Sequence, residues 1–386
     1  MTTIIRAGSA HELLALVPSL AGFQPSRSLV CVAFEGGRSV GVLRHDLPRR
    51  ARDRAALVAV VVATMCRMPG IDGVVPIAYT DGRFDAQQGA PERRLVELLA
   101  QRAAEAGFTV RDALCVASDG WGSYLDPALP ATGHPLALID ECAAVAAVPE
   151  GERPGDGPAI HAALPEPDRT RARAIARELE GLATAGPGAE VFGRLGDDVD
   201  PVELVEHLLE PGSAPAVASA WFLHLAARPA FRDGMMLQFA FGPVIGAAAH
   251  EDAVESVDRA EAHGISIDEL VRRELADGDL GEVHELLARL IVGQTTLRPE
   301  RARVERAIEV VRRMIAEAPA SFRVGPLCIG AWLCWALGRG SAAGALLDAA
   351  LELDPAHGMA GLLEQHLCSG ALPDWAFARP ARFGGE

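Results

Sequence analysis

The sequence predicts an N-terminal α/β domain with a mixed sheet, followed by an all-α domain. Three observations support this fold class. Strand-like and helix-like segments alternate over residues 1–125, which is typical of a small layered α/β unit. Residues 149–168 are rich in Pro, Gly and acidic side chains, as in a linker. Apolar residues after that stretch recur at helical spacing. We therefore expect an α/β domain at 1–148, a linker at 149–168 and a helical domain at 169–386.

The first predicted elements are a helix and a β-hairpin. Ser9 and Glu12 form a capping-box pattern, which can satisfy two backbone amides at a helix start. Ser28–Phe34 and Ser39–Asp46 are rich in β-forming residues, and the Gly-Gly pair between them is typical of a hairpin turn. These two strands are expected to begin the sheet.

Helices and strands are predicted to alternate through the rest of this domain. Arg52–Met68 has the length of a helix, although its Val-rich middle favours a strand by propensity. Gly73–Tyr79 has the composition of a strand. Pro76 within it indicates an edge position, because proline lacks the N–H that an inner ladder needs. A further helix and two strands are expected at 91–107, 108–117 and 121–125.

The second domain is predicted to consist of helices and to end in a tetratricopeptide-like helix pair. Gly338 falls on the turn position of such a repeat, and Ala343 and Ala350 fall on its two small-residue positions. Small residues are needed there because two antiparallel helices approach closely. One good copy is present and stacked repeats need about three, so a helix pair is expected rather than an array. The other predicted helices lie at 169–180, 201–209, 216–227, 267–275, 281–291 and 301–317.

Composition excludes several classes of function. The chain of 386 residues carries 52 acidic and 36 basic residues, for a formal net charge of −16. An acidic chain has no overall field that attracts nucleic acid or anionic lipid, so neither a nucleic acid nor a membrane is expected as a partner. Every basic residue is Arg, and the lack of Lys excludes Schiff-base and pyridoxal chemistry. The longest strongly apolar run, 57–65, has about half the length of a membrane span. The N-terminus lacks the pattern of a secretory signal, so a cytoplasmic protein is expected.

The spacing of cysteine and histidine predicts neither a metal site nor a cofactor. The seven cysteines are odd in number and include no Cys-x-x-Cys pair, which favours reduced, buried thiols. The eleven histidines are dispersed, and no His-Glu-x-x-His pattern occurs. No glycine-rich loop with a nucleotide-binding pattern follows a predicted strand. Sequence motifs alone therefore assemble no catalytic centre.

Two stretches near the N-terminus resemble a known family. Leu13–Phe34 and Leu43–Pro48 carry the pattern Leu-Leu, Val-Pro, Leu-x-Gly-Phe-x-Pro, Ser-Leu-Val and Arg-x-Asp-Leu-Pro of the actinobacterial domain-of-unknown-function family DUF4192. Asp119–Tyr124 is also similar to that family. The resemblance implies an actinobacterial cytoplasmic protein and no known activity, and the lack of Lys and Asn agrees with a G+C-rich genome. Many relatives carry Cys-Cys-Pro where residues 127–130 are Pro-Ala-Leu-Pro, so a thiol role there does not carry over.

Residues at predicted strand ends are candidates for ligand binding: Arg44, Asp46, Asp81, Asp119 and Trp121. Arg44 and Asp46 lie two apart on one strand, so both side chains leave the same face. They form either an anion site with a held Arg, or an ion pair that ties the strand end to the next turn. Asp81, Asp119 and Trp121 lie next to strand ends, where the ligands of open α/β sheets gather. Alternatively, Trp121 packs on the sheet and the Asp-Gly pairs are ordinary turns.

Three hypotheses on function remain open from the sequence. The leading one is a non-catalytic protein-interaction or scaffold role, with protein partners bound by the helical C-terminal half. The alternative is a small-molecule-binding protein or an enzyme that uses the strand-end residues. A weaker third hypothesis is nucleic-acid contact through Arg49–Arg54. The Arg-rich stretch at 298–313 is expected to form a solvent face with interleaved Glu residues, Glu317 among them.

Overall fold

The chain folds into two compact units. The computed structural model describes residues 7–87, 89–149, 160–183, 199–277 and 281–378. The described residues of one unit end at Ile160 and include all the described strands. The other unit spans His161–Ala378 and contains only helices and turns over its described residues. The predicted fold class is therefore confirmed. Residues 150–159, which make up half of the predicted linker, lie outside the described residues.

The described strands of the first unit form one mixed sheet. They are β1 (Ser28–Glu35), β2 (Arg38–Asp46), β3 (Gly73–Tyr79), β4 (Thr109–Val110), β5 (Leu114–Val116) and β6 (Trp121–Ser123). Their order is β2-β1-β3-β5-β6, and β4 also pairs with β3. β1 is antiparallel to β2 and β3, whereas β3 is parallel to β4 and β5. β6 returns antiparallel beside β5.

The position of β3 corrects the sequence prediction. Pro76 indicates an edge strand, but β3 lies between β1 and β5. The ladder on the β5 side is interrupted, because β4 pairs with Gly73 and Val74 and β5 resumes the pairing at Ile77. Pro76 lies within this interruption, so its missing N–H removes no bond to β4 or β5. The same interruption divides the single strand predicted at 108–117 into β4 and β5.

Helices cover both faces of the sheet. They are α1 (Ala10–Ala21), α2 (Arg54–Arg67), α3 (Phe84–Gln87), α4 (Arg93–Glu105) and α5 (Ala137–Asp140). Alternate residues of β1 face opposite sides, as the strand period requires. Leu29 and Cys31 pack in the core that α2 and α4 cover. Val30 and Val32 pack in the core that α1 covers, so the sheet is buried on both faces.

Helices α6 to α16 make up the described part of the second unit. They are α6 (Arg169–Ala183), α7 (Pro201–Leu209), α8 (Ala216–Ala226), α9 (Pro229–Phe241), α10 (Pro243–His263), α11 (Ile267–Asp277), α12 (Glu282–Ile291), α13 (Arg301–Glu317), α14 (Val324–Ala336), α15 (Gly340–Leu353) and α16 (Gly358–Cys368). The apolar spacing does not predict α9 and α10. Each of them begins at a proline in the first helical turn, which is the signal that could have indicated them.

α14 and α15 occupy the segment that resembles a tetratricopeptide repeat. Gly338 lies in the turn between them with φ of +77°, a conformation that glycine adopts without strain. Ala343 and Ala350 of α15 are fully buried against neighbouring helices. α14 is buried from Gly325 to Ala336, and it contacts α8, α9, α13, α15 and α16. It therefore presents no open face.

A buried ion pair connects helices of the second unit. Arg171 Nε on α6 lies 2.6 Å from Glu317 Oε2 on α13, and the Glu317 side chain is only 4% exposed. The same guanidinium donates to Ser219 Oγ on α8 at 2.7 Å and to the carbonyl of Ala214. The prediction that Glu317 lies on a solvent face is therefore wrong, because helical spacing cannot show which other helix covers a face.

An aromatic cluster fills the core near the end of this unit. Trp332 is fully buried, and its indole N–H donates to the carbonyl of Ile291 at 2.7 Å. The ring centroids of Trp335 and Trp375 lie 6.1 and 6.5 Å from that of Trp332, in tilted and edge-to-face arrangements. Both neighbours also donate their indole N–H to backbone carbonyls. The cluster thus combines aromatic packing with satisfied polar groups.

Candidate functional site

The candidate residues lie around one edge of the sheet. The strand register aligns five strand ends in a row, at Asp46, Ser28, Tyr79, Val116 and Trp121. The loops after β3 and β5 leave the sheet at this edge, and they carry Asp81 and Asp119. The structure thus brings the five candidates to the same end of the strands. Their hydrogen-bond partners decide what they can do there.

Arg44 is held by two groups of its own chain. Its Nε donates to Ser28 Oγ at 2.8 Å, and its Nη2 donates to the carboxylate of Asp46. Ser28 is fully buried and donates in turn to the carbonyl of Ser26 at 2.6 Å. Arg44 is mostly buried, whereas Asp46 is exposed. This geometry is the ion pair at the strand end, not an open guanidinium that waits for an anion.

Asp119 caps a short helix. Its carboxylate accepts hydrogen bonds from the backbone N–H groups of Phe84 and Asp85, at 2.9 and 3.4 Å, and these are the first residues of α3. Arg83 Nε lies 3.8 Å from the same carboxylate. Arg83 also donates to Asp85 at 2.9 Å, and this hydrogen bond lowers the pKa of Asp85 below its ordinary value. The Asp119 carboxylate therefore stabilises the start of α3.

Asp81 forms an exposed pair with a residue that the sequence did not indicate. Asp81 Oδ2 lies 3.6 Å from Arg27 Nε, and both side chains are largely exposed. Arg27 has φ of +44°, a left-handed conformation that is uncommon for a residue other than glycine. Its carbonyl accepts a hydrogen bond from the N–H of Leu47 at 3.0 Å. Hydrophobic spacing contains no signal for Arg27; its position one residue before β1 is what places it at this edge.

Trp121 packs against the sheet. It is 6% exposed, and its indole N–H donates to the carbonyl of Pro135 at 3.2 Å. The rings of His134 and His11 lie 4.8 and 6.1 Å from it, centroid to centroid. A ring that is buried and hydrogen-bonded in this way is not a free platform for a planar ligand.

Two cavities of the first unit have other linings. One of about 460 Å³ is lined by Arg93, Tyr124, Asp126 and neighbouring residues. The other, of about 440 Å³, is a groove between α2 and α4. None of the five candidate residues lines either cavity. The charged edge of the sheet and these concave features of the surface are therefore separate.

A family model matches residues 11–374, which is nearly the whole length of the chain. The chain belongs to the DUF4192 family. The description of this family is a domain of unknown function, so membership assigns no activity. No curated protein and no solved structure matches the chain. Within the described part of this DUF4192 protein, no helix combines the length and the apolar character that crossing a bilayer requires.

One cysteine of the DUF4192 chain lies beside a histidine that is distant in sequence. Cys328 Sγ is 3.9 Å from His357 Nδ1. The same Nδ1 accepts a hydrogen bond from the N–H of Ala360 at 3.3 Å and so caps α16. Cys328 is fully buried, and burial raises the pKa of its thiol to about 11. A nucleophilic thiolate needs access and a lowered pKa, so this pair is structural. Among the described residues, no three His, Cys, Asp or Glu side chains are placed to hold a metal ion.

Neighbouring groups engage the two arginine clusters of this DUF4192 chain, at 49–54 and 298–313, to different extents. In the first cluster, Arg54 lies 3.7 Å from Glu92. In the second, Arg303 pairs with Glu206 on α7, and Arg306 donates to the carbonyl of Leu209 at 2.6 Å. The second cluster therefore joins α13 to α7 in addition to facing solvent.

We expect two cysteines to react rapidly with a thiol reagent in the folded chain. Cys66 and Cys368 are exposed. Burial raises the pKa of four others to about 11 or about 12, and these are Cys31, Cys115, Cys328 and Cys334. Timed alkylation followed by mass spectrometry should modify the two exposed thiols at least about tenfold faster than the four buried ones. A chain unfolded in urea is the control, and rapid native-state modification of Cys328 would contradict its structural role.

Proposed function

We propose that this DUF4192 protein acts by binding another protein and is not a catalyst. The observation that supports this most directly is that candidate side chains at the strand ends already form hydrogen bonds within the chain. Arg44 bonds to Ser28 and Asp46, and Asp119 bonds to two backbone N–H groups. A general acid, a general base or a ligand anchor must reach the substrate. Here each group would first have to give up hydrogen bonds that stabilise the fold.

The buried α14 restricts where the helical half could bind a partner. Helical repeat proteins bind along extended concave surfaces formed by exposed helix faces. α14 is buried from Gly325 to Ala336, so its residues serve packing. A partner of the helical half, as the sequence predicts, would therefore contact other helices of that unit.

A pair of matched variants distinguishes the protein-binding proposal from a small-molecule site at the strand ends. Arg44→Met removes the held guanidinium, and Arg49→Met removes an exposed one as the control. The tagged full-length chain is purified under native conditions from cells of its source, and the proteins that accompany it are quantified. Each of them is then purified, and its affinity for the unaltered chain and for both variants is measured. We expect a stoichiometric partner protein whose affinity for both variants is within about twofold of that for the unaltered chain.

The opposite outcome is also well defined. If no protein accompanies the chain in stoichiometric amount, the protein-binding role is wrong. Thermal stabilisation of the unaltered chain by a small molecule, lost in Arg44→Met and kept in Arg49→Met, would establish the strand-edge alternative instead.

A further inference from the structure

We propose that the groove between α2 and α4 binds an amphipathic helix that carries acidic residues. This inference rests on the proposed protein-binding function and adds its surface and the chemistry of its partner. The groove has a volume of about 440 Å³. Its floor is formed mainly by alanine and valine side chains of α2, such as Ala59 and Val62, and by Leu98 of α4.

Between its two terminal arginines, α2 has no charged residue on its outer face. Twelve consecutive residues between Arg54 and Arg67 are uncharged, and yet Ala55, Ala59 and Ala63 are exposed. A helix at the surface of a folded unit normally carries charged residues on its outer face. The three alanines recur every four residues and so lie on one side of the helix. Their small side chains leave room for another helix axis to approach closely, because the interaxial distance depends on the side chains at the contact.

The α4 wall of the groove is apolar in the centre and basic at both ends. Arg94, Leu98 and Arg102 follow one another at four-residue spacing, which places them on one face of α4. Leu98 is half-buried, whereas both arginines are exposed. This pattern fits a partner helix with an apolar stripe flanked by acidic residues.

The flanks of the groove keep a positive charge in an otherwise acidic chain. Arg54, at the start of α2, lies 3.7 Å from Glu92, and Arg102 pairs with Glu105 at 2.7 Å. Exposed Arg94 adds a further positive charge to these two pairs, whereas the net charge of the whole chain is −16. An acidic helix complements this local charge, and electrostatic complementarity determines specificity at interfaces.

Two other occupants fit the surface less well. A second copy of the chain would bring the same basic flanks across a symmetric interface, so like charges would meet. A single-stranded nucleic acid stacks its bases on aromatic side chains, and no lining residue of the groove is aromatic. An acidic polypeptide helix matches both the apolar floor and the basic flanks.

A displayed library of helical peptides provides the test. The library varies the charge on the polar face and the residues of the apolar stripe, and it is selected on the immobilised full-length chain. Ala59→Glu places a negative charge in the groove, which repels an acidic peptide. The control Ala104→Glu makes the same change at an exposed position of α4 that does not line the groove. We expect selected peptides to be acidic and amphipathic, and to bind Ala59→Glu about tenfold or more weakly while Ala104→Glu leaves their affinity unchanged.

Three results of the peptide selection would overturn the inference. They are a selection that enriches no peptide, one that enriches basic peptides, and acidic peptides that bind Ala59→Glu as well as the unaltered chain. Circular dichroism confirms that both variants remain folded. A native partner that binds Ala59→Glu unchanged would place the interface elsewhere and leave the protein-binding function intact, so the two failures are distinguishable.

Discussion

Replacement of Glu317 by Ala should destabilise the helical unit by about 3–5 kcal/mol. The substitution leaves the Arg171 guanidinium largely buried without its carboxylate partner, which lies 2.6 Å away. An uncompensated charge in the interior costs far more than the loss of an exposed ion pair. Urea unfolding followed by tryptophan fluorescence measures the effect, because four of the five tryptophans belong to the helical unit.

A double variant separates the cost of the lone charge from the value of the pair. Arg171→Met combined with Glu317→Leu removes both charges and keeps apolar volume, so its free energy of unfolding should lie within about 1–2 kcal/mol of the unaltered chain. A loss in the double variant as large as in Glu317→Ala would show that the ion pair itself stabilises the unit. Exposed Arg301, which pairs with Glu305, offers the control Arg301→Met, with an expected effect below about 1 kcal/mol.

Replacement of Trp332 by Ala should also cost about 3–5 kcal/mol. The substitution opens a cavity where the indole is fully buried, and it leaves the carbonyl of Ile291 without its donor. The edge-to-face contact with Trp375 is lost as well. Urea unfolding followed by circular dichroism at the helical band measures the change without dependence on the removed fluorophore.

Trp332→Phe is the matched control for this site. It keeps an aromatic ring but removes the indole N–H, so we expect a loss of only about 1–3 kcal/mol. Equal losses for the Ala and Phe variants would assign the stabilisation to the hydrogen bond with Ile291 rather than to packing. A loss below about 1 kcal/mol for Trp332→Ala would contradict the assignment of this ring to the core.

Local signals predicted most elements but not the contacts between them. The helix predicted at 201–209 has the observed bounds, because Asp200 caps it and Pro201 occupies its first turn. The edge position that Pro76 indicates is wrong, since a local rule cannot show that a neighbouring ladder is interrupted at that residue. The solvent face predicted for Glu317 is wrong for a similar reason, because spacing along α13 carries no information about α6.

The sequence predicts where the candidate residues lie, but it does not predict which groups form hydrogen bonds with them. Strand ends placed Arg44 and Asp119 at the same edge, and the register confirms that the five strand ends align. The partners that engage these residues, Ser28 and the backbone of Phe84, follow from pairing across strands and from loop conformation. The groove beside α2 had a signal that spacing rules overlook: a long uncharged stretch in a helix whose outer face is exposed.

The burial of α14 has a consequence for truncated forms of this protein. α14 is apolar and contacts five other helices. A fragment that contains α14 and only one of them exposes apolar side chains and should not stay in solution. Deleting the helices that precede or follow α14 exposes its apolar side chains to water, so this segment is not a separable module. Truncations within His161–Ala378 should therefore be judged first by whether the product aggregates, and only then by what it has ceased to bind.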